Sequence, residues 1–185
     1  MKRFSVFLIF LLCSGFLYAQ TAGHSTSPFK AAKIAPVTNK LPPQPKNVTD
    51  VLHYDKEYYM ALGGGVETGA YAHFPEVKLA DYPGKQVLAV SLYLGDISGV
   101  ASAQVEIFAD TAAAPLYTQS FTPVSGWNHV YLNTPVPVPA SGPLFVGYRI
   151  ICSSESYGFG VDGGPGNPNG DIFWVDGTWN HLGAP

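Results

Sequence analysis

The chain has 185 residues and a formal net charge of −3, but the charge is unevenly placed. All thirteen acidic residues lie from Asp50 onward, against only Lys56, Lys78, Lys85 and Arg149, which leaves that part at −9. Such a surface repels nucleic acid and anionic lipid, so neither is expected as a partner.

The chain opens on Lys2 and Arg3, followed by an apolar run from Phe4 to Leu12 and by Leu17-Tyr18-Ala19. A basic start, a short apolar stretch and a small residue at the end predict a secretory leader over 1–19, cleaved after Ala19. The run is too short to span a bilayer, and no later stretch is long and apolar enough to do so. Residues 20–49 hold Pro28, Pro36, Pro42, Pro43 and Pro45, with Lys30, Lys33, Lys40 and Lys46. They read as a flexible linker with little to bury. Beyond Ala19 only Cys152 remains, so no internal disulfide is expected.

From 50 to 185 no helical period is sustained, and period-two alternation recurs. Leu88, Val90, Leu92 and Leu94 alternate with Val87, Ala89, Ser91 and Tyr93. Gln104–Ile107, Leu116–Phe121, Asn128–Leu132 and Leu144–Cys152 read as further strands, with a pair inside Tyr58–Phe74 and a last short strand at Ile172–Val175. In Leu144–Cys152 the alternation puts Cys152 on the face of Leu144, Val146, Tyr148 and Ile150, as a small buried apolar residue. Turn chemistry separates these runs at Tyr82-Pro83-Gly84, Gly95-Asp96 and Val124-Ser125-Gly126. Pro135, Pro137 and Pro139 exclude a central strand there, and mark an edge or a crossing between sheets. The fold class expected is all-β, an antiparallel jelly-roll-like β-sandwich.

Chemistry concentrates at the C-terminal end. Between Gly158 and Ile172 stand six glycines, two prolines, two asparagines and two aspartates, with Trp174 and Trp179 just beyond. Calcium takes six to eight oxygens, and Asp162, Asn167, Asn169 and Asp171 offer several. An EF-hand is excluded, because the twelfth position from Asp162 is Phe173. The alternative is turn chemistry, in which Asp and Asn cap tight turns and Gly supplies positive φ. A sugar is the other candidate ligand: Tyr157, Trp174 and Trp179 offer rings, and Asp176 and Asn180 offer polar contacts. Trp179, after the turn Asp176-Gly177-Thr178, is expected to face a ligand, and Trp174, inside a strand, to serve the core. Trp127, His129 and Tyr131 form a second alternating face opposite Val130 and Leu132. No histidine pair has metal-ligand spacing and no glycine-flanked serine elbow occurs, so an enzyme is not expected.

Three stretches carry a family resemblance: ETGAYAHFPEVKLADYPGKQVLAVSLYLGD, WNHVYLNTPVPVPASGPLFVGYRI and YGFGVDGGPGNPNGDIFWVDGTWNHL. Over Tyr58–Leu182 the chain resembles the jelly-roll modules related to gingipain-type cleaved adhesin domains of Gram-negative bacteria. The resemblance implies a secreted or cell-surface binding module for carbohydrate or a cell-surface or extracellular protein, and it favours calcium in the glycine loop. It also implies one more strand after Leu182, without which a sheet edge stands open. Asp110-Thr111-Ala112 resembles a short O-glycosylation acceptor pattern found in such secretors. A structural or assembly subunit pairing through an open sheet edge is the alternative function, and a small hydrolase is the third.

Overall fold

The structure is a computed structural model describing residues 5–9, 30–32, 50–54, 58–63, 66–153, 158–162 and 167–181. For 5–9, 30–32, 58–63 and 161–162 only the backbone is described. The strands are β1 (Ser5–Ile9), β2 (Lys30–Ala32), β3 (Asp50–Leu52), β4 (Tyr58–Gly63), β5 (Glu67–Phe74), β6 (Gln86–Leu94), β7 (Val100–Phe108), β8 (Tyr117–Phe121), β9 (Gly126–Pro137), β10 (Leu144–Cys152), β11 (Phe159–Asp162), β12 (Ile172–Val175) and β13 (Thr178–His181). One helical turn, α1 (Glu76–Leu79), lies between β5 and β6.

These strands form two sheets packed face to face. The first orders β2-β4-β11-β6-β1-β3, with β9 on β6 as well; the second orders β13-β12-β5-β10-β7-β8. All pairings are antiparallel except those of β1, which runs parallel to β3 and β6. From β5 onward the chain changes sheet at every connection apart from the β7–β8 and β12–β13 hairpins. The result is the all-β sandwich that the alternation predicts.

The core lies between the sheets. Ala70, Ala72 and Phe74 of β5, Val105 and Ile107 of β7, and Leu144, Val146, Tyr148, Ile150 and Cys152 of β10 face Val90, Leu92 and Leu94 of β6 and Val130 and Leu132 of β9. Burying each large aliphatic side chain contributes about 1.5–3 kcal/mol. Cys152 is 2% exposed, on the face its alternation assigns. In β6 the expected pattern breaks at its start. Val87, not Leu88, joins the core. The reason is a register shift between Val87 and Ala89, where the partner residues on β9 jump from Val136 to Tyr131. Such an excess turns the side chains of one strand relative to the other.

The same irregularity accommodates the prolines. β9 is paired along β6 and bulges at 132–135, with Pro135 and Pro137 exposed. The bulge reaches the other sheet: the Asn133 amide donates to Tyr117 Oη at 3.0 Å and Gln119 Oε1 at 2.8 Å, and Gln119 Nε2 donates to the Tyr131 carbonyl at 2.9 Å. One side of the sandwich is thereby tied shut.

Candidate functional site

The outer face of the second sheet carries its own side-chain assembly. On β5, Gly69, Tyr71 and His73 point away from the core, opposite Arg149, Gly147 and Phe145 of β10. Glu106 and Phe108 of β7 lie on the far side of β10, and Ile172 and Trp174 of β12 on the near side of β5.

Two glycines make this assembly possible. A Cβ on Gly147 would stand 2.4 Å from Tyr71 Cδ1, and one on Gly69 would stand 2.7 Å from Tyr71 Cε2. The Tyr71 ring therefore lies down across bare backbone, and it is fully buried on a face that would otherwise be exposed. Strand glycines mark such close approaches. The Tyr71 hydroxyl donates to Glu106 Oε2. Burial, then the neighbouring Glu106 charge, pushes the Tyr71 phenol well above its ordinary range, so it keeps its proton.

Glu106 is a buried carboxylate, 3% exposed. It is satisfied by Tyr71, by Arg149 Nε at 3.1 Å and by Gln104 Nε2 at 2.7 Å. Arg149 also reaches Glu67 Oε1 at 3.1 Å and lays its guanidinium 3.9 Å from the centre of the Trp174 ring. Burial acts against the Arg149 charge, but Tyr71, Glu106 and Glu67 outweigh it and its pKa is raised.

β12 and β13 close the face. Their connection is a two-residue turn at Asp176 and Gly177, with φ of 43° and 95°. Two positive φ angles are the signature of the hairpin turns that match strand twist. Thr178 already pairs with Val175, so Trp179 sits on a strand and not on the turn, directly opposite Trp174. Trp174 likewise departs from expectation: the core-facing residue of β12 is Phe173, 6% exposed, and Trp174 faces outward and is half-buried. Trp179 rests on Tyr71 at 4.6 Å between ring centres, with its edge contacts to Phe108 at 5.5 Å.

Beside Trp179 opens a cleft of about 300 Å³. One wall is Phe145 with His73 stacked on it, ring centres 4.5 Å apart. The other is Ile172, Asn180 and His181. His181 Nδ1 lies 2.7 Å from Asp171 Oδ1; Asp171 is buried, whereas the His181 side chain is 53% exposed. Thr111 also lines the cleft and is half-buried.

The glycine loop is built as a turn wherever it is described. Asn167 Oδ1 accepts the Asn169 amide at 3.0 Å. Asn169 Oδ1 lies 3.0 Å from His73 Nδ1, and the Asn169 carbonyl accepts the His73 amide at 2.7 Å. The loop is thus clamped to β5 beside the cleft. Asp162 is described in its backbone alone, and 163–166 lie outside the described residues, as does Tyr157. Among the described residues no three His, Cys, Asp or Glu side chains converge as metal ligands would. Asp176 ties the hairpin turn to β5: its Oδ1 accepts the Glu67 amide at 3.1 Å and its own amide donates to the Glu67 carbonyl at 3.0 Å. Asn180 Nδ2 donates to the Thr178 carbonyl at 3.0 Å.

Of the residues singled out from sequence, Trp179 and Asn180 line the cleft, Asp171 stands behind it through its contact with His181, and Trp174 and Asp176 do not line it. The residues that sequence reasoning missed are Tyr71, His73, Phe145 and His181. Their only signal was a tyrosine opposite a glycine, legible once the β5–β10 register is known.

The second aromatic face lies on β9 as the alternation expects. Tyr131 is 56% exposed and Trp127 is half-buried with its edge against Tyr93 at 5.7 Å. His129 Nδ1 lies 2.6 Å from Ser91 Oγ, and burial lowers the His129 pKa.

Comparison of the chain with family models, with characterised proteins and with solved structures yields no match. Among the described residues no helix is long and apolar enough to cross a membrane.

Proposed function

We propose that this protein is an exported, non-catalytic binding module that takes carbohydrate on the outer face of its second sheet. The observation that carries the reading is Trp179: a half-buried indole, braced from beneath by Tyr71 and Phe108, facing a cleft edged by the Asp171–His181 pair, His73 and Asn180. A rigid ring offers a sugar's C–H face a surface, and the imidazole and amide groups suit its hydroxyls. Few side chains need to be ordered on binding, which lowers its entropic cost. A site on paired strands is also held more firmly than one on loops. The −9 charge from Asp50 onward favours a neutral ligand over an anionic one. The resemblance to secreted adhesin modules points the same way.

The test is a glycan array followed by titration. Trp179→Ala is expected to weaken the captured glycan at least tenfold, about 1.4 kcal/mol. Because Trp179 roofs Tyr71 but is only half-buried, the same change costs roughly 2 kcal/mol of stability, less than the about 3–5 kcal/mol of truncating a fully buried ring. His181→Ala, at an exposed position, should weaken binding with stability intact. Trp174→Ala should leave binding unchanged and lose about 1 kcal/mol of cation–π stacking. This ordering reverses the stability contrast expected from sequence, because Trp174 is not a core residue. Capture of no glycan by the wild type, or binding unaffected in both Trp179→Ala and His181→Ala, defeats the reading; a protein ligand at the same face would be the remaining binding class.

Calcium has its own test. If the loop takes calcium through Asp162, Asn167, Asn169 and Asp171, a chelator is expected to lower the melting temperature and added calcium to restore it. A bound ion at 100 times its dissociation constant would contribute about 2.7 kcal/mol, a shift of several degrees. Such a shift, restored by added calcium, would assign the loop to the metal.

A further inference from the structure

We propose that the cleft beside Trp179 reads hydrogen-bond donors: His73 and His181 are held there as acceptors, so the ligand is a neutral sugar recognised through its free hydroxyl hydrogens. The inference deepens the carbohydrate reading and rests on it; it names the side chains that decide which sugars are taken.

The polarity follows from what stands behind each imidazole. Both rings line the cleft. His73 Nδ1 lies 3.0 Å from Asn169 Oδ1, and His181 Nδ1 lies 2.7 Å from Asp171 Oδ1. An amide oxygen and a carboxylate oxygen can only accept. Each Nδ1 therefore carries the proton, and in a neutral imidazole the other nitrogen, Nε2, is then an acceptor. Among the described contacts none engages Nε2 of either ring, so these are the nitrogens left for a ligand. Asn180 lines the same cleft; with its Nδ2 given to the Thr178 carbonyl at 3.0 Å, its Oδ1 is a third acceptor.

The two imidazoles are fixed before any ligand arrives. Asn169 is pinned twice more: its amide donates to Asn167 Oδ1 at 3.0 Å, and its carbonyl accepts the His73 amide at 2.7 Å. Asp171 is buried. The His73 ring also stacks on Phe145, with 15° between the planes. Neither imidazole can turn an N–H toward the cleft without giving up its contact to Asn169 or Asp171. Among the described residues that line the cleft there is no lysine, arginine or carboxylate, so ionic pairing does not select the ligand. A sugar ring supplies what the cleft asks for: a C–H face for the Trp179 indole and hydroxyl hydrogens for the ring nitrogens. A sugar with every hydroxyl O-methylated keeps the face and sets lone pairs against lone pairs. Sites built around a ligand hydroxyl discriminate strongly against the analogue that lacks it.

The test uses the whole protein with isotope-labelled histidine, in mildly alkaline buffer. Before any ligand is added, NMR of the ring nitrogens should show Nε2 unprotonated in both His73 and His181; the signals are assigned with His73→Phe and His181→Phe. The probes are the methyl α-glycosides of glucose, galactose and mannose, each also in its fully O-methylated form. A glycoside that binds should shift the Trp179 indole signal and both Nε2 signals, and its O-methylated form should bind at least about tenfold more weakly. His73→Phe and His181→Phe keep a ring and remove the acceptor; each should weaken that glycoside about threefold to tenfold. A protonated Nε2 in either ring of the free protein, or equal binding of the free and O-methylated glycosides, would overturn the inference and leave the carbohydrate reading standing. Both of those outcomes are read on the wild type, so they hold even where a variant does not fold. Silence of the Trp179 indole toward all three glycosides would overturn the inference, and an empty glycan array would overturn the carbohydrate reading with it.

Discussion

Gly147→Ala is expected to destabilise the protein by about 3 kcal/mol, the upper part of the usual overpacking range. The added Cβ would fall 2.1 Å from the Ala70 carbonyl and 2.4 Å from Tyr71 Cδ1. The first is backbone of the neighbouring strand and cannot swing aside. The second is the edge of a ring held on its other face by Trp179 and tied at its hydroxyl to Glu106. Relief requires parting β5 from β10 or lifting Tyr71, and lifting Tyr71 removes one donor from a buried carboxylate. Gly69→Ala should cost less, since its nearest atoms are at 2.7 to 2.9 Å. Urea titration would measure both; a Gly147→Ala protein as stable as the wild type would mean that Tyr71 does not lie across the sheet.

Arg149→Met is expected to cost a similar amount, about 3 kcal/mol, the low side for breaking a buried ion pair by removing one partner. Glu106 would lose its only cationic partner among the described contacts while remaining almost inaccessible to water. Gln104 and Tyr71 still donate to it, which keeps the loss from being larger. The Trp174 ring would also lose the guanidinium beneath it. Arg149→Met combined with Glu106→Gln should recover most of the stability, because the uncompensated charge is then gone. The coupling energy of that double-mutant cycle is the quantity to read. Additive losses would mean that Glu106 and Arg149 do not act as a pair.

The strands themselves were largely legible in the sequence. Alternation in Leu144–Cys152 placed Cys152 in the core, where it is buried, and Pro135 and Pro137 required the edge position that β9 occupies. Both follow from local physics: side chains alternate along a strand, and proline lacks the donor that a second neighbour would need. The bulge that exchanges Val87 for Leu88 was not legible, because it depends on an excess of residues in the partner strand β9. Nor was the outward position of Trp174. Alternation groups Ile172 with Trp174 and Phe173 with Val175, but only packing against the other sheet decides which pair turns inward. The binding face was the least legible. Tyr71 meets Glu106, 35 residues on in β7, across the intervening strand β10, and it lies flat only because Gly147 stands opposite in that strand. Strand order in a sheet is set by long-range pairing and by burial of whole faces, so residues that share a face become neighbours only when the sandwich closes.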